Sequence, residues 1–133
     1  MRTAVPRSRL LLVDHDVRVR AALTALLSAV PEFEVVGSCG NATDAWSAVA
    51  STRPHLVLLD LLLPMARDGL ALVARLRGAG IPVVAMSIRG GLRAGALARG
   101  AVAFLEKDGS ADALVAALLA AAPGGHDTWR RDK

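Results

Sequence analysis

The sequence predicts an α/β fold in which a parallel five-stranded sheet is covered by helices on both faces. Short apolar runs of strand length alternate with longer segments of helical period, and this alternation occurs five times along the chain. The strand runs are apolar at almost every position, as expected of parallel strands that are buried on both faces. These two observations define the class of fold before any single residue is considered.

The predicted strands are short apolar runs that end at polar residues or turns. In chain order they are Leu10–Val13, Phe33–Gly37, Leu56–Leu59, Ile81–Met86 and Ala101–Leu105. Because parallel strands are joined by right-handed crossovers, few arrangements remain for a chain of 133 residues. We expect a doubly wound, flavodoxin-like sheet with strand order 2-1-3-4-5.

The predicted helices lie between and after these strands. They are Val17–Val30, Asn41–Thr52, Asp68–Arg77, Arg89–Arg99 and Ser110–Ala122. Asn41 or Thr43 can cap the second helix and Ser110 the last one, since their side-chain oxygens accept bonds from first-turn amides. The fourth helix contains three glycines and is therefore predicted to be weak. We expect His55, just before the third strand, to be solvated.

Length and charge indicate one domain with short polar ends. We expect a disordered basic N-terminus over 1–8, a folded domain over 9–122, and a tail or linker stub over 123–133. The net charge of +4 comes from the two ends, while the predicted body is neutral. This distribution argues against nucleic-acid binding by this chain alone.

Hydropathy and cysteine content predict a cytoplasmic protein without a membrane partner. The residues are 53% hydrophobic, but no apolar run is long enough to span a bilayer or to form a signal-peptide core. The single cysteine, Cys39, excludes an internal disulfide and fits a reducing compartment.

Four chemically active residues close the predicted strands. Asp14 follows the first strand, Asp60 the third, Ser87 the fourth and Lys107 the fifth. In an open α/β sheet, ligands bind outside the carboxyl ends of the strands, so these side chains should converge. A carboxylate can attack phosphorus and become an aspartyl phosphate. Lys107, the Ser87 hydroxyl and a divalent cation held by the two carboxylates would neutralise and position the phosphoryl oxygens.

Four segments carry a family resemblance. They are Leu10–Asp14, Leu58–Pro64 with the following Asp68-Gly69, Val83–Ser87 and Gly100–Lys107. In this order and at these spacings, the chain resembles the response regulator receiver domains of two-component systems. The resemblance covers nearly the whole predicted domain and includes the aromatic residue three positions before the final lysine, Phe104.

The resemblance implies a phosphorylation switch. Asp60 would accept a phosphoryl group from a sensor histidine kinase, and Ser87 and Phe104 would then move together. The surface of helix four, strand five and helix five would change shape. The implied cofactor is Mg²⁺ or Mn²⁺, held by Asp14, Asp60 and the backbone carbonyl of Leu62. Such a protein is not an enzyme beyond self-phosphorylation and autodephosphorylation.

The sequence departs from the family at three places. His15 stands where a second metal-binding acid is usual, so that His15 or Asp16 would have to complete the site. Three residues, rather than two, separate Pro64 from Asp68-Gly69, and the bulky Ile88 follows Ser87. These departures leave a second hypothesis open, namely an atypical receiver that acts as a phosphorylation-independent interaction or dimerisation module. The helix four and helix five surface, with its alanine-rich last helix, is the candidate homodimer interface.

Two other functions fit less well. A haloacid dehalogenase-type phosphatase would use Asp14 and Asp16, but Arg18 occupies the Thr/Val place of that motif and Asp60 would have no role. A flavin-binding protein would need a Ser/Thr/Gly-rich loop after the first strand and aromatic residues around the ring. The chain lacks that loop and has no tyrosine.

Overall fold

In a computed structural model that describes residues 7–123, five parallel strands form one sheet in the order β2-β1-β3-β4-β5. The strands are β1 Ser8–Val13, β2 Phe33–Cys39, β3 Leu56–Asp60, β4 Val83–Ser87 and β5 Ala103–Glu106. The predicted fold class and strand order are confirmed. Because β3 lies between β1 and β4, the carboxyl ends of these three strands are adjacent.

Five α-helices connect and follow the strands. They are α1 Val17–Ser28, α2 Ala42–Thr52, α3 Ala66–Gly78, α4 Arg93–Ala98 and α5 Ala111–Ala121. Asp16, Asn41 and Ser110 precede α1, α2 and α5, and each side chain accepts a hydrogen bond from a first-turn amide. The cap of α2 is therefore Asn41 rather than Thr43.

Several element boundaries differ from the prediction because tertiary pairing sets them. β2 continues to Cys39, since Cys39 pairs with Val13 of β1. β4 begins at Val83 rather than at Ile81, whose amide bonds to the Leu76 carbonyl at the end of α3. Likewise, the Ala101 amide bonds to the Ala96 carbonyl, which leaves Ala101 in the loop before β5.

The predicted fourth helix is divided in two. Gly90–Leu92 form one 3₁₀ turn, and only Arg93–Ala98 are α-helical. The glycine-rich start of this segment lowers its helical stability, which explains why the α-helix is only six residues long. α3 instead begins earlier than predicted, so Asp68 lies within its first turn.

The ends of the chain fall mostly outside the described residues. Ser8, predicted to lie in the N-terminal tail, is the first residue of β1 and pairs with Phe33. The other predicted tail segments, residues 1–6 and 124–133, lie outside the part that the structure describes.

The core is split by the sheet into two layers. Along β1, Leu10 and Leu12 face α1 and α5, whereas Leu11 and Val13 face α2, α3 and α4. Both sets are fully buried. This alternation follows from the two-residue period of a strand and explains why the strand is apolar throughout.

His55 connects β1 to the start of β3, contrary to the prediction that it is solvated. Its ring is buried, and Nδ1 accepts a hydrogen bond of 3.0 Å from the Arg9 amide. The His55 amide in turn donates to the Arg9 carbonyl at 2.8 Å. The imidazole therefore adds one hydrogen bond to the backbone bonds that join β1 to the start of β3.

Gly69 sets the distance between α3 and the end of β3. A Cβ atom at this position would lie 2.0 Å from the Leu61 carbonyl oxygen. Only glycine permits such a close approach of helix and backbone. It thereby fixes the loop that follows Asp60.

Within residues 7–123, none of the helices combines the length and the apolar character needed to cross a bilayer.

Candidate functional site

The carboxyl end of the sheet brings Asp14, Asp60 and Lys107 into direct contact. Lys107 Nζ lies 2.9 Å from Asp14 Oδ2 and 3.0 Å from Asp60 Oδ2. The two carboxylate side chains are only 1% and 7% exposed. The three side chains converge as the sequence predicts, and one ammonium group bridges two buried carboxylates at the ends of neighbouring strands.

The second oxygen of each carboxylate is held by the backbone. Asp14 Oδ1 accepts a hydrogen bond of 2.8 Å from the Asp16 amide. Asp60 Oδ1 accepts one of 3.1 Å from the Leu62 amide. Because both oxygens of each group have partners, the orientation of the two carboxylates is fixed by the fold.

Burial and charge shift the ionisation of this cluster. Burial raises the pKa of Asp60, and the nearby Asp14 charge adds to the rise, while the Leu62 amide and Lys107 oppose it. For Lys107, burial lowers the pKa, but the bonds to Asp14 and Asp60 outweigh burial and raise it overall. The lysine therefore remains a cation in the site, and Asp60 is a more basic carboxylate than a solvated one.

Ser87 is the last residue of β4, and β4 lies next to β3, the strand that ends at Asp60. Its side chain is fully buried, and Oγ accepts a hydrogen bond of 3.0 Å from the Arg89 amide. Its carbonyl accepts a bond of 3.0 Å from the Lys107 amide. The hydroxyl hydrogen is free to donate elsewhere while the oxygen anchors the loop that leads to α4.

Phe104 is in the core on the side of α4. Its ring is buried among the residues under α4, and Ala85 of β4 is its partner in the sheet register. The Arg93 guanidinium stands 6.0 Å from the ring centroid and donates to the Phe104 carbonyl at 3.4 Å. Phe104 is thus in contact with α4 in this structure, and its predicted movement remains a prediction.

Two carboxylates, those of Asp14 and Asp60, are the side chains available to bind a metal ion at this site. His15 is exposed at the start of the loop, and Asp16 Oδ1 accepts the Arg18 and Val19 amides as the cap of α1. Those two bonds lower the pKa of Asp16. Among residues 7–123 there is no group of three or more His, Cys, Asp or Glu side chains that could hold a metal.

Mg²⁺ nevertheless fits the chemistry of the remaining donors. It prefers oxygen ligands, keeps several waters and is commonly bound by one or two carboxylates. Asp14 and Asp60 supply those oxygens. The predicted third donor, the Leu62 carbonyl, belongs to the residue whose amide already bonds to Asp60. His15, with a softer nitrogen donor, does not suit this ion.

Three large apolar side chains in the segments that follow β1, β3 and β4 are exposed. Val17, Met65 and Ile88 are 65%, 52% and 71% exposed. They come from α1, from the loop before α3 and from the loop after β4. Ile88, directly after Ser87, is therefore turned to solvent.

Sequence reasoning did not single out Arg20, which also reaches the site. Its Nη1 donates a hydrogen bond of 2.6 Å to the Asp14 carbonyl oxygen. The only signal in the sequence is its place in the second turn of α1, six residues after Asp14. Such a contact depends on how α1 packs, so spacing alone does not reveal it.

The fold and the site define a class of proteins in which a buried aspartate and a lysine meet at the carboxyl edge of a doubly wound sheet. The response regulator receiver domain family matches residues 10–119. The chain belongs to this family and is a receiver domain of a two-component response regulator.

Solved receiver domains share its architecture. The receiver domain of NtrX from Brucella abortus is 33% identical, with a TM-score of 0.73, and the match covers 84% of this chain and 96% of that one. The BeF₃-activated receiver domain of RstA from Klebsiella pneumoniae is 28% identical, with a TM-score of 0.75 and coverage of 85% and 97%.

Curated relatives are longer proteins. A protein-glutamate methylesterase/protein-glutamine glutaminase from a Nocardioides species is 37% identical over 108 residues, which are 80% of this chain and 27% of that protein. One from Moorella thermoacetica is 37% identical over 112 residues, with coverage of 80% and 26%. The chain thus matches about a quarter of the length of these relatives.

Proposed function

We propose that this receiver accepts a phosphoryl group on Asp60 from the phosphohistidine of a sensor histidine kinase in the cytoplasm. The observation that carries the proposal is the bridge from Lys107 Nζ to the Asp14 and Asp60 carboxylates, at 2.9 and 3.0 Å. A phosphoacceptor needs a fixed nucleophile beside a permanent positive charge, and this bridge supplies both.

The transfer is a substitution at phosphorus. An Asp60 carboxylate oxygen forms a new P–O bond while the P–N bond of the phosphohistidine breaks. The electron pair of that bond stays with the leaving imidazole nitrogen. Lys107 neutralises charge on the phosphoryl oxygens, and the Ser87 hydroxyl donates a hydrogen bond to one of them. A divalent cation held by Asp14 and Asp60 would add further neutralisation when it is bound.

The signal would pass from Ser87 to α4. The bond from the Arg89 amide to Ser87 Oγ joins the hydroxyl to the loop before the 3₁₀ turn. A Ser87 hydroxyl drawn towards a phosphoryl group would pull on this loop, and the short α4 can rearrange at low cost. Because Phe104 packs under α4, the two would change together. The output surface is then formed by α4, β5 and α5.

This function involves no turnover of a second substrate. The reactions of the chain itself are its own phosphorylation and dephosphorylation. The methylesterase and glutaminase names of the relatives describe proteins about four times as long as the matched segment. We therefore propose that this chain acts as a phosphorylation switch.

A second candidate is a receiver that acts without phosphorylation as an interaction or homodimerisation module. The exposure of His15 and the capping role of Asp16 favour it, because they leave two carboxylates for the metal. Leu97, Val102 and Leu119, on or beside α4, β5 and α5, are 40%, 54% and 39% exposed and would form the contact.

Intact-mass measurement after incubation with acetyl phosphate and Mg²⁺ separates the two candidates. The proposed function predicts the gain of one phosphate in the parent chain and none in Asp60→Asn. Asp60→Asn retains the size of the side chain and so controls for folding. The second candidate predicts no gain with Mg²⁺ or Mn²⁺ in the parent, and a gain in His15→Asp, in which a third acid completes the metal site.

A further inference from the structure

The backbone of Asp14 is held at both its amide and its carbonyl group. Its amide donates a hydrogen bond of 3.0 Å to the Cys39 carbonyl at the end of β2. Its carbonyl accepts the bond of 2.6 Å from Arg20 Nη1. The Arg20 amide donates to the Asp16 carbonyl within α1. The Arg20 side chain therefore extends from this helix back to the end of β1. Asp14 is thereby fixed relative to both β2 and α1.

Gly40 provides the space for this guanidinium. A Cβ atom at Gly40 would lie 2.7 Å from Arg20 Nη1 and 3.4 Å from Cζ. Gly40 does not have a left-handed φ, so its backbone conformation is open to other residues. A Cβ at this position would therefore push the guanidinium end of Arg20 away from its present place.

The side chain of Asp14 is also held at both of its oxygens. Asp14 Oδ2 contacts Lys107, and Oδ1 accepts the Asp16 amide. A change in the backbone conformation of Asp14 would move both carboxylate oxygens. With only two carboxylates available to a cation, a small displacement of one of them removes a large part of the binding energy.

We propose that Arg20 is a positioning residue, which holds the Asp14 carboxylate in the geometry that a divalent cation requires and depends on Gly40 for access. This inference rests on the proposed function only in that the cation serves phosphorylation. Arg20 does not touch the phosphoryl group in this arrangement. It acts through the backbone of Asp14.

Mn²⁺ binding, measured by calorimetry, tests the proposal in Arg20→Ala, Gly40→Ala and the double variant. We expect each single change to weaken Mn²⁺ binding by about tenfold or more, the size found for residues that orient metal ligands. The double variant should bind no worse than either single one, because both changes remove the same contact. Arg18→Ala removes the same charge from an exposed position of α1 and should change binding by less than about twofold.

Phosphorylation of the same variants distinguishes positioning from a direct role. Arg20→Ala should need more Mg²⁺ for half-maximal phosphorylation but should reach the parental rate at saturation, and urea unfolding should show that both single variants remain folded. Unchanged Mn²⁺ affinity in Arg20→Ala, additive losses in the double variant, or a parent chain that binds no Mn²⁺ would each overturn the inference. A parent that binds Mn²⁺ with the expected variant pattern but gains no phosphate would instead refute the proposed function and leave the inference standing.

Discussion

Lys107 Nζ lies 3.0 Å from Asp60 Oδ2, although 47 residues separate the two in the chain. The same ammonium reaches Asp14, 93 residues away. Both contacts exist because β1 and β3 are neighbours in the sheet and β5 ends on the same edge. The charge balance of the site thus depends on one residue.

Replacement of Lys107 by alanine should destabilise the metal-free protein at pH 7. Two buried carboxylates would then face each other without a cation, and loss of one partner of a buried charge pair costs about 3 kcal/mol. Urea unfolding in EDTA measures this loss. Asp14→Asn in the Lys107→Ala background removes one of the two charges and should restore part of the stability. A loss below about 1 kcal/mol, typical of an exposed pair, would contradict the expectation.

The titration of Asp60 in metal-free protein should show a raised pKa. Burial is the main cause, and loss of Lys107 should raise the pKa further because the lysine opposes the shift. A raised pKa in the folded state means that the stabilisation is complete below the pKa of the unfolded chain and is lost as the pH rises through the folded value. We therefore expect the advantage of Asp60→Asn over the parent in unfolding free energy to shrink as the pH falls from 7 to about 4.

Carbon NMR of the Asp60 carboxyl gives this pKa directly. Asp16, whose pKa is lowered by the Arg18 and Val19 amides, is an internal reference that should shift in the opposite direction. A pKa of Asp60 at or below its ordinary value would show that the Leu62 amide and Lys107 together outweigh burial.

Asp16 should behave as a helix cap rather than as a metal ligand. Asp16→Asn retains an oxygen that can accept the Arg18 and Val19 amides, so the stability of the variant should stay close to that of the parent. Asp16→Ala loses the cap and should unfold at lower urea concentration. Mn²⁺ affinity should be similar in both variants and the parent, and a marked loss of affinity in Asp16→Asn would assign this carboxylate to the metal site.

Gly69→Ala should destabilise the fold strongly. The new Cβ would meet the backbone of Leu61, which cannot move without displacing the end of β3, and we expect a loss of about 3 kcal/mol. Gly78→Ala, at the end of the same helix, has open space around it and should change stability by less than about 1 kcal/mol, in favour of alanine. Equal unfolding midpoints for the two variants would show that α3 can move away from Leu61.

The sequence predicted the five strands from apolar periodicity and their order from right-handed crossovers in a doubly wound sheet. It predicted the convergence of Asp14, Asp60 and Lys107 because ligands bind at the shared carboxyl edge of parallel strands. Boundaries were less predictable. Ile81 and Ala101 are apolar and suited to strands, but their amides bond to the preceding helices. Local sequence contains no information about that competition.

The positions of some residues adjacent to the site were also not predictable from the sequence. An exposed His15 and an Asp16 that caps α1 were not predictable from the motif, since both depend on the direction in which the loop leaves β1. The burial of His55, whose ring accepts a bond from the Arg9 amide of β1, likewise depends on the tertiary structure.

By itself, the sequence determined the fold class, the edge at which the chemistry lies and the residues that end the strands, since these depend on patterns along one chain. Only the tertiary structure decided that Lys107 bridges both carboxylates, that Gly69 lies against Leu61 and that Arg20 reaches Asp14 through the space beside Gly40. Each of these contacts joins elements distant in sequence, and its geometry is set by how helices pack on the sheet.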